Sequence, residues 1–165
     1  MIKPILQLGD SRLYDVSSEI SEEDWVNLPQ WVEDLHDTLM DYRKTYGAGR
    51  AVAAPQIGVF KRLLYMYLDR PYVFVNPVLT FPDGEMYELL DDCMSFPGLM
   101  VRVKRHRRCV LDYLDGKGKP HQMPLEGDLS ELLQHEYDHL DGILATMRAV
   151  DNRSFVLGQM KRNFE

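Results

Sequence analysis

Residues 134–142 carry the clearest chemical signal in the chain and read Gln134-His135-Glu136-Tyr137-Asp138-His139-Leu140-Asp141-Gly142. His135 and His139 are four residues apart, so on a helix they lie one turn apart on the same face. Two imidazoles placed in this way can bind one metal ion, and Glu136 can then act as general base on a metal-bound water. The alternative interpretation is a polar helix face that carries two solvated histidines.

The apolar residues around this pattern predict a helix that begins near Gly127 and ends at Gly142. The positions that recur at helical spacing are Leu129, Leu132, Leu133, Tyr137 and Leu140. Asp128, Leu132 and the two histidines follow one another at spacings of four, three and four residues, so they share one face. We expect that face to look into the site.

Two histidines do not complete a catalytic metal site, because such sites use three protein ligands and keep one position open. A third histidine six residues after His139 is excluded, since that position is Ala145, and the only later glutamate is Glu165. The third ligand is therefore expected upstream, where Cys93 lies in a loop-like stretch and offers a thiolate. The alternative for Cys93 is a small buried apolar residue, which is also how Cys109 is interpreted.

Length and composition limit the class of protein. The chain has 165 residues, 45% of them apolar, which suits one domain spanning residues 1–165. Its 26 acidic and 19 basic residues give a formal net charge of −7, which argues against dedicated nucleic-acid binding. The first residues lack the features of a signal peptide, and no apolar stretch is long enough to cross a bilayer. With only two cysteines, a cytoplasmic globular protein without membrane contact is predicted.

The order of the predicted elements favours an α+β fold. A first helix is predicted over residues 21–46, with Ser21 as the N-cap and Gly47 as a stop signal. Runs rich in aromatic and β-branched residues predict antiparallel strands and hairpins over residues 62–68, 72–80 and 101–114. A last short helix is predicted over residues 154–163. Strands in the middle of the chain and helices at both ends are typical of the α+β class.

With these features in order, the chain resembles the peptide deformylase family. That family carries the motifs G-x-G-L-A-A-x-Q, E-G-C-L-S and Q-H-E-x-D-H-L-x-G. Their counterparts here are residues 49–56 (GRAVAAPQ), 91–95 (DDCMS) and 134–142 (QHEYDHLDG). The third motif is complete and the first two are altered. The resemblance covers nearly the whole chain in the same order, and it implies antiparallel sheets around a central metal-binding helix.

The resemblance also implies a set of roles. Three residues would bind the metal, which is ferrous iron in the family with nickel, cobalt or zinc as substitutes: Cys93, His135 and His139. Glu136 would be the general base and then the general acid. The Gln56 side chain and the Met94 backbone N–H would stabilise the tetrahedral oxyanion. The reaction would be hydrolysis of the N-formyl group of the formyl-methionine that begins a nascent polypeptide, with release of formate.

Five residues are expected to bind substrate: Arg50, Ala51, Asp92, Asp128 and Leu132. Ala51 and Asp92 replace glycines of the family, and Arg50 stands where an aliphatic residue is usual. Asp128 replaces an apolar residue that lines the methionine pocket. Because a buried acid without a partner is costly, we expect Asp128 to pair with Arg50 or with a polar or cationic substrate group. The alternative is that Asp128 caps the start of the helix.

Two further features concern charged residues. Asp91 replaces a glutamate that the family pairs with an arginine, and Arg105 matches that arginine. Residues 104–108 (KRHRR) form a basic run in an acidic chain. A solvated strand face accounts for this run, and the alternative is a patch that makes transient contact with ribosomal RNA.

Three classes of function remain open on these grounds. The first, which we predict, is an active peptide deformylase with an N-formylated peptide as its partner. The second is a related metal-dependent amidase that acts on a more polar N-formylated or N-acylated substrate. The third is a non-catalytic relative that binds peptide or metal. An endopeptidase of the zincin type is a distant fourth alternative, because cysteine is an unusual ligand for that chemistry.

Overall fold

The computed structural model describes residues 1–158 as eight β-strands and two α-helices, joined by loops and short 3-10 turns. The helices are α1 (Leu28–Tyr46) and α2 (Asp128–Leu140). The strands are β1 (Ala51–Ala53), β2 (Leu63–Tyr67), β3 (Pro71–Thr80), β4 (Met86–Asp91), β5 (Leu99–His106), β6 (Arg108–Leu114), β7 (Pro120–Glu126) and β8 (Phe155–Leu157).

The strands form two antiparallel sheets. One sheet has five strands in the order β1-β2-β3-β6-β7, and the other has three in the order β4-β5-β8. Every named strand pair is antiparallel. The predicted α+β class, with antiparallel sheets around the helix that carries the H-E-x-x-H pattern, is confirmed.

Helix α1 begins later than the sequence pattern indicates. Residues 22–26 form a 3-10 turn, and the α-helix starts only at Leu28. The reason lies in Pro29, which occupies the first turn of α1, where its missing N–H leaves no hydrogen bond unmade. The helix ends as expected at Gly47, whose φ of 71° is left-handed and whose N–H donates to the Arg43 carbonyl.

Two predicted segments are divided or changed in type. The run over residues 101–114 is two strands, because β5 belongs to the small sheet and β6 to the large one. The predicted helix over residues 154–163 is wrong where the structure describes it. Phe155–Leu157 is the strand β8, which adds to β5 and buries Val156. Residues 159–163 of that prediction lie outside the described part of the chain.

Helix α2 packs on the large sheet through its apolar face. Leu133 and Leu140 are fully buried in one cluster with Phe74 and Leu111 from the sheet. Gly142 follows the helix where the chain passes very close to the Tyr14 backbone. This packing fixes which way the opposite face of α2 points. Within residues 1–158, no helix has the length and apolar character that crossing a membrane requires.

Candidate metal centre

Three side chains from two elements converge beside α2. His135 and His139 come from successive turns of the helix, and Cys93 comes from the loop that follows β4. Their ligand atoms all lie within 4.8 Å of one another, and Cys93 Sγ is 3.4 Å from His139 Nε2. All three residues are buried. One thiolate and two imidazoles in a buried cluster form a donor set that suits a transition-metal ion.

The two histidines differ in protonation. Burial lowers the pKa of His135, but the charges of Asp91 and Cys93 outweigh it and raise the value well above its usual one, so this ring releases a proton when it binds a metal. Burial, together with the charge of His135, lowers the pKa of His139 well below its usual value, which keeps this imidazole neutral. His139 Nδ1 is buried without a hydrogen-bond partner. His135 Nδ1 lies 2.9 Å from Asp91 Oδ2, an arrangement that leaves Nε2 of that ring free for a metal. The two histidine rings are therefore placed to bind a metal cation.

A network of ion pairs holds Asp91, the residue that contacts the His135 ring. Asp91 accepts from Arg105 Nη2 at 2.8 Å, which confirms the predicted pair. Arg105 Nη1 donates at 2.7 Å to Asp138, and Arg148 Nη2 donates to the same carboxylate at 2.9 Å. Burial raises the pKa of Asp91, but the charges of His135 and Arg105 outweigh it and lower the value to about 2. No sequence pattern indicates that Asp138 and Arg148 extend this network, because their pairing depends on the fold.

Glu136 lies in the same cavity with an unused carboxylate oxygen. The side chain is buried, and its Oε2 has no hydrogen-bond partner among residues 1–158. Burial raises the pKa of Glu136 to about 7. A carboxyl group with this pKa can accept and return a proton near neutral pH, which is what general acid–base chemistry requires.

Gln56 presents its amide nitrogen to the cluster. Its Oε1 accepts from the Ala53 N–H at 3.0 Å, which fixes the orientation of the amide. Its Nε2 then donates to Ser95 Oγ at 3.1 Å and reaches Cys93 Sγ at 3.5 Å. Composition alone suggests a loop-surface glutamine at this position, but the residue is only 1% exposed. Gln56 is therefore a buried, oriented hydrogen-bond donor. Without the family match, its sequence context would not have identified it as one.

The cavity beside the cluster has a volume of about 230 Å³. Four of the five residues expected to bind substrate line it: Arg50, Ala51, Asp92 and Leu132. Met94, whose backbone N–H was assigned to the oxyanion, also lines it. The expectation that Asp128 lies inside the cavity is not met. Its side chain is 72% exposed and pairs at the rim with Arg50, the partner expected from the sequence. The alternative role as helix cap is not met, because Gly127 occupies the N-cap position of α2. Glu131, which is 12% exposed, is one of the acids that line the cavity, with Asp91, Asp92 and Glu136.

The basic run over residues 104–108 is largely neutralised by acids. Arg105 is buried in the network behind His135. Arg107 pairs with Glu85, and Arg108 contacts three carboxylates, those of Asp83, Glu85 and Glu126. Cys109, beside this run, lies in the core against Ser130, as its interpretation as a buried apolar residue predicts.

Comparison with known proteins gives consistent similarities. The sequence model of the family described as polypeptide deformylase matches residues 2–154. A peptide deformylase 2 of Ralstonia nicotianae is 35% identical over 166 residues, covering 94% of this chain and 91% of the relative.

Solved structures show the same likeness. The crystal structure of a peptide deformylase from Legionella pneumophila superposes with a TM-score of 0.83 at 33% identity, covering 99% of this chain and 92% of the other. A peptide deformylase from Synechococcus elongatus in complex with actinonin superposes with a TM-score of 0.82 at 29% identity, covering 92% and 82%.

Proposed function

Because the chain belongs to the polypeptide deformylase family, we propose that it is a metal-dependent hydrolase that removes the N-formyl group from the N-terminal residue of polypeptides. The products are formate and a free amine, and formyl-methionine peptides are the reference substrate. The observation that carries the proposal is the buried cluster of Cys93, His135 and His139, with the unpartnered carboxylate oxygen of Glu136 in the same cavity.

Cys93, His135 and His139 would hold one divalent ion. A bound ion of this kind supplies Lewis acidity, which lowers the pKa of water and polarises the formyl carbonyl. We propose ferrous iron as the resident metal, with nickel, cobalt or zinc as substitutes, because a thiolate and two imidazoles suit these ions. Asp91 orients the His135 ring, and Arg105 holds Asp91 in turn.

The chain's own residues account for proton transfer and charge stabilisation. Glu136 takes the proton from the attacking water and returns it to the departing amine nitrogen as the C–N bond breaks. The Gln56 amide is oriented by the hydrogen bond that its Oε1 accepts from the Ala53 N–H, and its Nε2 donates to the oxygen that gains negative charge. The Met94 N–H is proposed as the second donor. Each such donor typically contributes ~10²- to 10³-fold in rate.

Two further proposals concern the cellular context of the protein. We propose that the protein works in the cytoplasm, since Cys93 and Cys109 are both free thiols. Contact of residues 104–108 with ribosomal RNA stays a prediction. The acidic partners of Arg107 and Arg108 leave little positive charge there for a phosphate backbone.

The proposal is tested by formate release from formyl-Met-Ala-Ser. The nickel-loaded protein should release formate, lose that activity when a chelator removes the metal, and regain it on reloading. Cys93→Ala should bind nickel weakly and be inactive. Cys109→Ala is the matched control, since it removes a second buried thiol outside the cluster and should stay active. Absence of formate from this and from other N-formylated peptides, with wild-type protein that holds one equivalent of metal, would refute the proposal.

A further inference from the structure

An acidic side chain forms part of the wall of the substrate cavity. Glu131 precedes His135 by four residues, so its carboxylate lies on the metal-binding face of α2, one turn from the centre. Its side chain is only 12% exposed, and it lines the cavity together with Leu132 and Arg50. The free protein therefore holds a mostly buried carboxylate at the place where a substrate side chain beside the formyl group would enter.

The carboxylate of Glu131 is poorly paired. Arg50 Nη2 is 3.5 Å from Glu131 Oε1, at the limit of a hydrogen bond. The other terminal nitrogen of Arg50 is engaged by Asp128 at the rim. Burial, together with the charge of Asp91, raises the pKa of Glu131 to about 7, although the charges of His135 and Arg50 act in the opposite direction. One guanidinium is thus shared between two carboxylates.

The charges that face the cavity sum to an excess of negative charge. Asp91 is committed to Arg105 and His135, so it takes no part in binding. Of the remaining ionisable groups that line the cavity outside the metal cluster, Arg50 carries a positive charge, whereas Glu131, Glu136 and the exposed Asp92 are acids, and Asp128 adds a carboxylate at the rim. A cationic group entering this cavity would be attracted by these carboxylates.

An entering side chain would complete the dehydration of Glu131. A thioether or alkyl chain offers no hydrogen bond, so it would leave the carboxyl group buried and underpaired. An ammonium or amide at the end of the chain restores a partner. Sites that contain a buried polar group reject analogues that lack its partner more strongly than apolar pockets discriminate by size.

We propose that Glu131 makes this cavity select N-formylated substrates whose first side chain ends in a cation or hydrogen-bond donor, such as lysine, over an alkyl or thioether chain of similar length. This inference rests on the proposed deformylase activity and specifies its substrate class. Glu131 is the specificity-determining residue, and Arg50 positions its carboxylate from the rim.

The test compares formyl-Lys-Ala-Ser with formyl-norleucine-Ala-Ser, which share a four-carbon side chain and differ in the terminal ammonium. Wild-type kcat/KM should favour lysine by roughly 10- to 100-fold, the range expected for one hydrogen bond to a charged group. Glu131→Leu should reverse the preference. Glu126→Leu, an exposed glutamate on β7 outside the cavity, should keep it. Equal or better turnover of the norleucine peptide by wild-type protein would overturn the inference while leaving the deformylase activity standing.

A binding measurement separates this inference from the proposed function. Nickel-loaded Glu136→Gln should bind both peptides without turnover, and calorimetric titration should give a Kd for the lysine peptide about tenfold or more below that for the norleucine peptide. The same difference should disappear in Glu131→Leu/Glu136→Gln. If wild-type protein released no formate from any peptide, the proposed function would fail. The Kd ratio would still support or overturn the role of Glu131.

Discussion

Replacing Asp91 with asparagine tests the buried network that holds the metal centre in place. Asp91 is 5% exposed and accepts two hydrogen bonds, from Arg105 Nη2 at 2.8 Å and at the His135 ring nitrogen at 2.9 Å. Asp91→Asn keeps the size of the side chain and removes its charge. Asp92→Asn makes the same chemical change at the next residue, whose side chain is exposed. The pair of variants therefore isolates what the buried charge contributes.

The expected cost in stability follows from the pKa of Asp91. Its folded value of about 2 lies below the usual 3.8, so its stabilising contribution is present above pH 3.8 and is lost as pH falls through 2. The difference corresponds to about 2 kcal/mol at neutral pH. The interaction with Arg105 is already part of this figure, because Arg105 is one of the causes of the lowered pKa, so a loss of about 2 kcal/mol is expected for Asp91→Asn. Asp92→Asn should change stability by less than about 0.5 kcal/mol.

Metal affinity should fall with stability, because His135 loses the acceptor that fixes its ring. Loss of such a partner typically costs ~10- to 100-fold in metal affinity. Urea denaturation of the metal-free proteins measures the loss of stability. Competition between protein and a chelator for nickel measures the loss of metal affinity. If Asp91→Asn and Asp92→Asn had the same stability and the same nickel affinity, the supporting role of the network would be refuted.

Three further predictions concern backbone geometry, titration and metal. Gly142→Ala should lose about 2 kcal/mol or more in urea denaturation, because its Cβ would lie 2.3 Å from the Tyr14 carbonyl oxygen at a φ of +71°, whereas Gly84→Ala, in open space, should be nearly neutral. Glu131→Gln should raise Tm at pH 8, because the ionised carboxylate of the wild type costs up to about 3 kcal/mol in folding free energy there. The folded pKa of Glu131, about 7, lies above the usual 4.5, so the wild-type carboxylate is protonated as pH falls from 7 towards 4.5. The gain in Tm should therefore shrink over that range. Nickel at 100 times its Kd should stabilise the wild type by about 2.7 kcal/mol in thermal unfolding, and a much smaller shift is expected for Cys93→Ala.

Local patterns were sufficient for the helix that carries the site. The spacing of His135 and His139 and the apolar residues between Leu129 and Leu140 depend only on helical geometry, and both are realised in α2. Periodicity gives the angular position of a residue on a helix, but it does not give its depth along the axis relative to a cavity. Asp128 and Glu131 both lie towards the histidine face, yet Asp128 begins α2 at the solvent and Glu131 is one turn further in.

Sequence periodicity does not predict contacts between distant parts of the chain. The alternation over residues 101–114 continues across the point where the chain passes from one sheet to the other, so it does not show the division into β5 and β6. The strand β8 exists because β5 offers it an edge. The bond between Arg148 and Asp138 likewise depends on tertiary packing. Elimination of the downstream positions pointed to Cys93, and the family resemblance supported it. Gln56 came from the resemblance alone, because the local sequence signal there was weak.

The central claim is that Glu136 transfers protons at a metal ion bound by Cys93, His135 and His139. The most direct measurement is the rate of formate release per bound nickel ion in wild-type and Glu136→Gln protein, with metal content determined on the same samples. We predict one nickel ion per chain in both proteins and a rate ~10²- to 10⁴-fold lower in Glu136→Gln. Equal rates at equal metal content would contradict the claim.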